Sequence, residues 1–264
     1  MKITIFTSNQ PRHIALINRV AEVCETTFAV LECNTIFPGT IRDFYRNSPQ
    51  MTEYFSNVVS AERKIFDQVS FLNENVRTLS IKSGDLNLLD QAQLASSLES
   101  DLYIVFGSSF IKGWLIKFLL SKEALNIHMG LSPYYRGSSC NFWALYDNRP
   151  EYVGATIHLL SEGLDSGPIL YHVVPNPDCD NVFDFTMSAV DVAQLSLVRK
   201  IRSGEIKSLQ PEIQKKSEEL RYSRNEEFND QISEEFLSRQ IKMQSIREHI
   251  QSNSYPQLIR LEVS

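Results

Sequence analysis

Glycine is scarce in this chain, 10 residues in 264, which excludes collagen-like and low-complexity architectures and makes each glycine cluster the sign of a tight turn. Cysteine is scarcer still. Cys24, Cys33, Cys140 and Cys179 are scattered without any Cys-x-x-Cys pair, which fits reduced cytoplasmic thiols and argues against a disulfide framework or a zinc site. Long apolar runs are missing: the stretch Trp114–Leu120 is broken by Lys117 and falls far short of a membrane span. The opening MKITIFTSNQ holds one lysine and a short alternating strand, and lacks a secretory hydrophobic region. There is no surplus of positive charge: 26 Lys and Arg stand against 32 Asp and Glu, a net of −6. That balance argues against a broad nucleic-acid surface, because neutralising phosphates takes clustered Lys and Arg. Neither a GxGxxG turn after the first strand nor a GxSxG elbow occurs, so dinucleotide binding and Ser-His-Asp esterase chemistry have little support. These absences predict a cytoplasmic globular protein with no membrane span, no nucleic-acid partner and no metal.

What is present reads as alternating strand and helix. Residues 2–7 (KITIFT) form a buried strand. Ile14, Ile17, Val20 and Val23 follow at helical spacing, and 27–32 (TFAVLE) is strand-like again. Strand, helix, strand opens a βαβ unit and so a parallel sheet. Residues 41–73 are polar and helical, with Phe44, Tyr45, Tyr54, Phe55 and Phe66, and are long for a crossover. Further strands are predicted at 76–81, 101–106, 124–128, 153–160 and 169–174. Helices are predicted from SGDLN through Ser97, near 112–120 and over 140–146. Asn181 caps a helix carrying Phe183, Met187, Val190, Leu197 and Ile201, and Gly204 ends it. The spacing divides the chain into a domain over 1–205 and a small, mostly helical extension over 206–264, with Pro211 as candidate linker.

The chemistry concentrates in NIHMGLSPYYRG, residues 126–137. On a strand Asn126 and His128 share a face, because side chains alternate with period two. Asp165, in the GLDSGP loop, can return a carboxylate to that imidazole, fixing its tautomer and stabilising its protonated form. The amide can donate to an oxyanion. Together the three groups suit acyl transfer to an amine. A lone strand-end histidine, or a lone GLDSG turn, would by itself be ordinary structure.

In order and spacing the two motifs resemble the folate-dependent formyltransferases: NIHMGLSPYYRG is similar to the family's Asn-x-His…Pro…Gly signature, and TIHLLSEGLDSGPIL to its aspartate loop. The resemblance covers residues 1–175, with VFGSSFI at the place of the pteridine-binding loop. It is specific over 126–170 and loose before Gly84. Met129-Gly130 departs from it, where relatives often carry Pro-Ser or Gly-Ser, and leaves the local turn shape open. The resemblance implies an α/β fold with a Rossmann-like, mostly parallel sheet and flanking helices. It implies N10-formyltetrahydrofolate as formyl donor, bound by the backbone of Gly107, Ser108 and Ile111, with Glu162 in the covering loop and His158 lining the folate side or simply packed. Asn126 and His128 would hold the tetrahedral oxyanion, and His128, partnered by Asp165, would take the proton shed by the amine.

Among acceptors, the resemblance is best to enzymes that formylate a nucleotide-linked amino sugar for surface polysaccharide or glycan synthesis. It is carried by YRGSSCNFWALYDNRPEYVGATIH and the short tail. A methionyl-tRNA formyltransferase would need an electropositive surface, whereas residues 201–264 hold ten Lys and Arg against eleven Asp and Glu. A glycinamide ribonucleotide formyltransferase would leave the tail unexplained, and its glycine-rich phosphate turn is here TSNQPR. A folate- or nucleotide-binding module without activity is the reading from outside the enzymes. Arg12 and His13 at a helix start read as a cap rather than a phosphate site, and Phe142 and Trp143 as packing. His172 and His249 read as surface residues, and Tyr222 and Arg224 as lying near the acceptor. The stripe Ile232, Phe236, Leu237 and Ile241 either packs on the core or makes a homodimer contact.

Overall fold

The computed structural model describes residues 1–33, 48–67 and 70–263. The chain opens with β1 (Lys2–Ser8), α1 (Pro11–Ala21), β2 (Thr26–Cys33), α2 (Pro49–Phe66), β3 (Val76–Lys82) and the short α3 (Gln91–Leu94). Then come β4 (Leu102–Val105), α4 (Gly113–Ser121), β5 (Leu125–His128), β6 (Tyr135–Gly137), α5 (Cys140–Tyr146), β7 (Ala155–Leu159), β8 (Ile169–Val174) and α6 (Val182–Ser203). The C-terminal region adds β9 (Arg221–Ser223), α7 (Asp230–Ser238), α8 (Met243–Ser252) and β10 (Glu262–Val263).

Eight strands form one sheet in the order β10-β8-β7-β5-β4-β1-β2-β3. β1 to β5 pair in parallel, and β7 runs against its neighbours β5 and β8. This is the expected mostly parallel sheet with flanking helices. Its inner strands β1 and β8 are covered on both faces, as near-continuous apolar runs such as KITIF and ILYHVV require. Ile3 and Ile5 of β1 face α1 and α6 (Ile14, Ile17, Leu197, Ile201), while Phe6 faces the opposite layer with Leu86, Tyr103, Leu115 and Leu119.

Local chemistry sets the element ends. Pro11 stands at the first turn of α1, where its missing N–H costs nothing. Asn181 accepts from the N–H groups of Phe183 and Asp184, and Gly204 ends α6 in the left-handed region at φ 78°. The helix expected through Ser97 is instead one turn of α-helix between two 3-10 segments. Asp90 starts α3 with a reciprocal capping box to Gln93, so the preceding turn cannot join it. α2 accounts for part of the helical pattern over 41–73, and Phe44 and Tyr45 lie outside the described residues.

The C-terminal region contains the helices expected of it, and two strands besides. β9 pairs with β6, and β10 extends the main sheet beside β8. Phe236 is 4% exposed and meets Phe142, Phe183 and Tyr54, while Ile232 and Ile241 pack at the edge of the same cluster. The stripe on α7 therefore closes a core with α5 and α2. His172 is corrected from a surface residue to a fully buried one, since β8 is covered along its whole length. His249 Nε2 lies 3.0 Å from the Glu151 carboxylate.

Candidate active site

β4 and β5 are parallel neighbours, with Val105 opposite Asn126, so their carboxyl ends lie side by side. The first delivers the turn Gly107-Ser108-Ser109 and the second delivers Asn126 and His128. The structure brings together the three groups singled out for catalysis. Asn126 Nδ2 reaches Asp165 Oδ1 at 3.4 Å, and His128 Nδ1 lies 3.3 Å from the same oxygen. Gly137 N–H donates to the other carboxylate oxygen at 3.3 Å.

A fourth group belongs to this cluster. His158 stands opposite Asn126 in the β5–β7 ladder, is 1% exposed, and its Nε2 lies 3.0 Å from Asn126 Nδ2. Its Nδ1–H donates to the Leu159 carbonyl at 2.7 Å, which leaves Nε2 as the acceptor of the Asn126 amide. Burial holds the ring neutral, down at about 4. His158 thus orients Asn126 as a packed residue of the strand.

His128 faces acceptors at both nitrogens. Nε2–H donates to the Tyr135 carbonyl at 3.0 Å and Nδ1 faces the Asp165 carboxylate, so only the imidazolium satisfies both. Burial alone would push this ring below its ordinary 6.5, but Asp165, with the Cys140 sulfur beside it, outweighs burial and raises it well above. Burial likewise favours the neutral form of Asp165, and the opposing charge of His128 overrides it and draws the carboxyl down to about 2. Asp165 is itself in the left-handed region at φ 48°, a conformation Asp tolerates better than most residues but one that still costs about 1–3 kcal/mol.

The loop after His128 is shaped by close approach. A Cβ on Gly130 would sit 2.4 Å from the Cys140 Cβ and 2.8 Å from His128 Nε2, so neither Pro nor Ser could follow Met129 here. Thr156 donates to the Gly130 carbonyl at 2.6 Å and accepts from Ser132 N–H at 2.8 Å. His172 Nε2–H donates to the Ser132 carbonyl at 2.7 Å, and its Nδ1 accepts from Ile259 N–H at 2.9 Å. Together they hold the turn from behind.

The expected donor loop is built with equal care. Gly107 has φ 64°, and a Cβ there would come within 2.5 Å of His13 Cε1, so only glycine lets the backbone lie against that ring. Glu32, closing β2 and 2% exposed, accepts from Ser109 N–H at 2.5 Å, from Ser109 Oγ at 2.8 Å and from Gly84 N–H at 2.8 Å. Asn87 donates to the Phe110 carbonyl at 2.9 Å and accepts from Lys112 N–H at 2.7 Å. These clamps leave Gly107 exposed and Ser108 half-buried at the edge of the sheet, while the Ile111 side chain turns into the core. Glu162 is exposed on the aspartate loop.

Glu32 and Asn87 were missed in the sequence. A lone carboxylate ending the apolar run TFAVL was the available signal for Glu32. The start of α1 holds an internal anion: Glu62 of α2, 2% exposed, accepts from Arg12 N–H at 3.2 Å and from Arg12 Nη1 at 2.7 Å. The local cap expected there is not formed, since Gln10 makes no side-chain bond to the helix, and the Glu62 carboxylate from another helix takes its place.

Residues 66–181 match the formyl transferase family. Formyltetrahydrofolate deformylase 1 of Arabidopsis thaliana, a mitochondrial protein, is 33% identical over 100 residues, 38% of this chain and 29% of that protein. A methionyl-tRNA formyltransferase of Thermosynechococcus vestitus is 36% identical over 78 residues, 30% of this chain and 23% of its own. The chain thus spans less than a third of the length of either relative. A 4-N formyltransferase from Francisella tularensis superposes over 99% of this chain and 91% of its own, with TM-score 0.52 at 16% identity. An N-formyltransferase from Helicobacter canadensis, solved with folinic acid and dTDP-3-aminofucose, covers 86% of this chain and 72% of its own, with TM-score 0.52 at 13% identity. At such identities the likeness is one of fold. The segment that brings Asn126, His128 and Asp165 together thus matches the formyl transferase family, and the chain shares its fold with solved N-formyltransferases.

Proposed function

We propose that this protein transfers a formyl group from N10-formyltetrahydrofolate to the primary amine of a nucleotide-linked amino sugar. The observation that carries the reading is the convergence of Asn126 and His128 on Asp165, at the sheet edge beside the Gly107–Ser109 turn. A pterin displays a row of donors and acceptors, which the exposed main-chain edge at Gly107 and Ser108 is placed to pair with on this reading. With Glu32 and Asn87 fixing the turn, that edge is rigid before the donor arrives.

The chain's own residues then divide the work. Asn126 and the His128 imidazolium donate to the oxygen that becomes negative as the amine nitrogen bonds to the formyl carbon. Each exchanges one of its present partners for it, the long Asp165 contact for Asn126 and the Tyr135 carbonyl for His128. When the bond from that carbon to the folate N10 breaks, His128 gives a proton to the departing nitrogen and regains one from the amine. The net transfer is one proton from amine to N10, so charge balances. Asp165 stabilises the imidazolium throughout.

Three features support a sugar-nucleotide acceptor. The near-neutral tail lacks the clustered cations that an RNA substrate requires. Glu62 fills the α1 N-terminus, where a phosphate monoester would otherwise find backbone donors. The Helicobacter canadensis protein, similar in fold, was solved with an amino-sugar nucleotide and a folate. A second reading, hydrolysis with water in place of the amine, is favoured by the 33% identity to a formyltetrahydrofolate deformylase. The deciding experiment incubates the protein with the donor and a panel of nucleotide-linked amino sugars, read by mass for one added formyl group. An acceptor-free control measures formate. Formate release without any formylated sugar would favour hydrolysis, and methionyl-tRNA as the sole acceptor would overturn the proposal.

A further inference from the structure

We propose that Gln214, in the C-terminal region outside both motifs, is a positioning residue of the active site: its amide holds the main chain of the aspartate loop and thereby sets Asp165 against His128. This rests on the reading of His128 and Asp165 as the working pair. Gln214 Nε2 donates to the Asp165 carbonyl at 2.9 Å and to the Gly167 carbonyl at 2.7 Å. Both hydrogens of one amide are spent on the loop that carries the carboxylate. The opposite amide orientation would set Oε1 against two carbonyl oxygens, so the orientation follows from the bonds themselves. Gln214 Oε1 is buried without a partner among the described residues, so serving the two carbonyls prevails over satisfying that acceptor.

Backbone pairing delivers the residue to this place. Glu212 and Ile169 exchange N–H to carbonyl bonds of 2.7 and 2.8 Å, laying the C-terminal segment against the start of β8, two residues beyond Gly167. A second strap comes from Arg136, which donates from Nη2 to the Leu164 carbonyl at 2.7 Å and from Nη1 to Glu219 at 2.8 Å. The loop needs such fixing because Asp165 occupies the left-handed region at φ 48°. Freed of Gln214, the peptide can relax toward ordinary backbone, and the carboxylate withdraws from His128 Nδ1.

The consequence is read at His128 itself. The groups with a bearing on that ring are Asp165 in the aspartate loop, Cys140 on α5, His158 on β7 and His172 on β8, and Gln214 adds no charge to them. Gln214→Met keeps the volume and removes the donors, and Gln214→Ala removes both. With only five histidines in the chain, the ring C–H resonances can be titrated by NMR, the His128 signal being the one absent from His128→Asn. Both variants are expected to lower the His128 pKa by about one unit. They are also expected to lower kcat roughly tenfold or more, with the KM for the formyl donor within about twofold of wild type. Should the apolar variants fail to fold, Gln214→Asn carries the same test, since its amide stops one methylene short of the two carbonyls. An unmoved titration in a variant with wild-type Tm overturns the proposal, as does a shifted titration with unchanged kcat. The titration needs no substrate. A protein that neither transfers formyl nor releases formate would sink the functional reading and leave the role of Gln214 to be decided by the NMR experiment.

Discussion

An imidazole lodged between a carboxylate and a carbonyl has one protonation state that serves both nitrogens, and that fact governs the residue-scale behaviour of His128. Replacing Asp165 by Asn removes the charge that offsets burial, so the pH limb of kcat governed by His128 is expected to move to lower pH. A limb that stayed put in the pH–rate profile would remove Asp165 from the reacting pair. Asn126→Ala deletes an oxyanion donor and is expected to lower kcat by about 10²–10³. His128→Asn is expected to cost more, with folate binding kept in calorimetry, and the double variant much less than the product of the singles. On the donor side, Glu32→Gln leaves one acceptor oxygen for the N–H and O–H groups now shared by two. Loss of a hydrogen bond to a charged group is worth about 1.5–3 kcal/mol, so the KM for the donor is expected to rise at least tenfold while kcat changes less. An unchanged donor KM would show that the loop holds its shape without the carboxylate.

At the scale of elements, the pieces legible in the sequence are those whose ends are set locally. Asn181 and Gly204 bound α6 as read, and the helix read at about 140–146 is α5. Strands covered on both faces announced themselves as apolar runs. β9 and β10 were not legible, because three-residue and two-residue strands form only when a partner edge is presented to them. The stripe on α7 had two possible destinations, and Phe236 packs inward, against aromatic rings from three other segments, Tyr54, Phe142 and Phe183. Phe236→Ala is therefore expected to destabilise the fold by about 3–5 kcal/mol in chemical denaturation. A loss below about 1 kcal/mol would mean that the tail is not part of the core.

For the whole molecule, the buried histidines set a pH window. His13, His158 and His172 are held below the ordinary 6.5 chiefly by burial, the last two at about 4. The unfolded chain takes up protons between 6.5 and 4 that the native state refuses, so these three make stability fall as pH drops through that window. His128 acts in the opposite sense: its contribution is complete below 6.5 and is lost as pH rises through its raised native value. Asp165, at about 2 when folded against 3.8 otherwise, contributes above 3.8 and loses that contribution as pH falls toward 2. Below 6.5 His128 is protonated in both states and adds no slope, so the three buried rings alone are expected to make the urea midpoint decline steadily between 6.5 and 4. A flat or rising midpoint would show that His158 and His172 protonate in place.

Already legible along the chain were the parallel sheet, the positions of Asn126, His128 and Asp165, and the shared face of the first two. Each of these depends on periodicity or on spacing within a short segment. Tertiary structure alone decided the rest. It supplied the partner of Asn126, because His158 faces it only through the β5–β7 register. It supplied the anion at the α1 N-terminus from α2, the clamp on the donor loop from β2, and the clamp on Asp165 from a segment nearly fifty residues downstream. Hydrogen bonds between residues far apart in the chain leave no period in the sequence, and a polar side chain shows what it holds only when the fold has brought the two together.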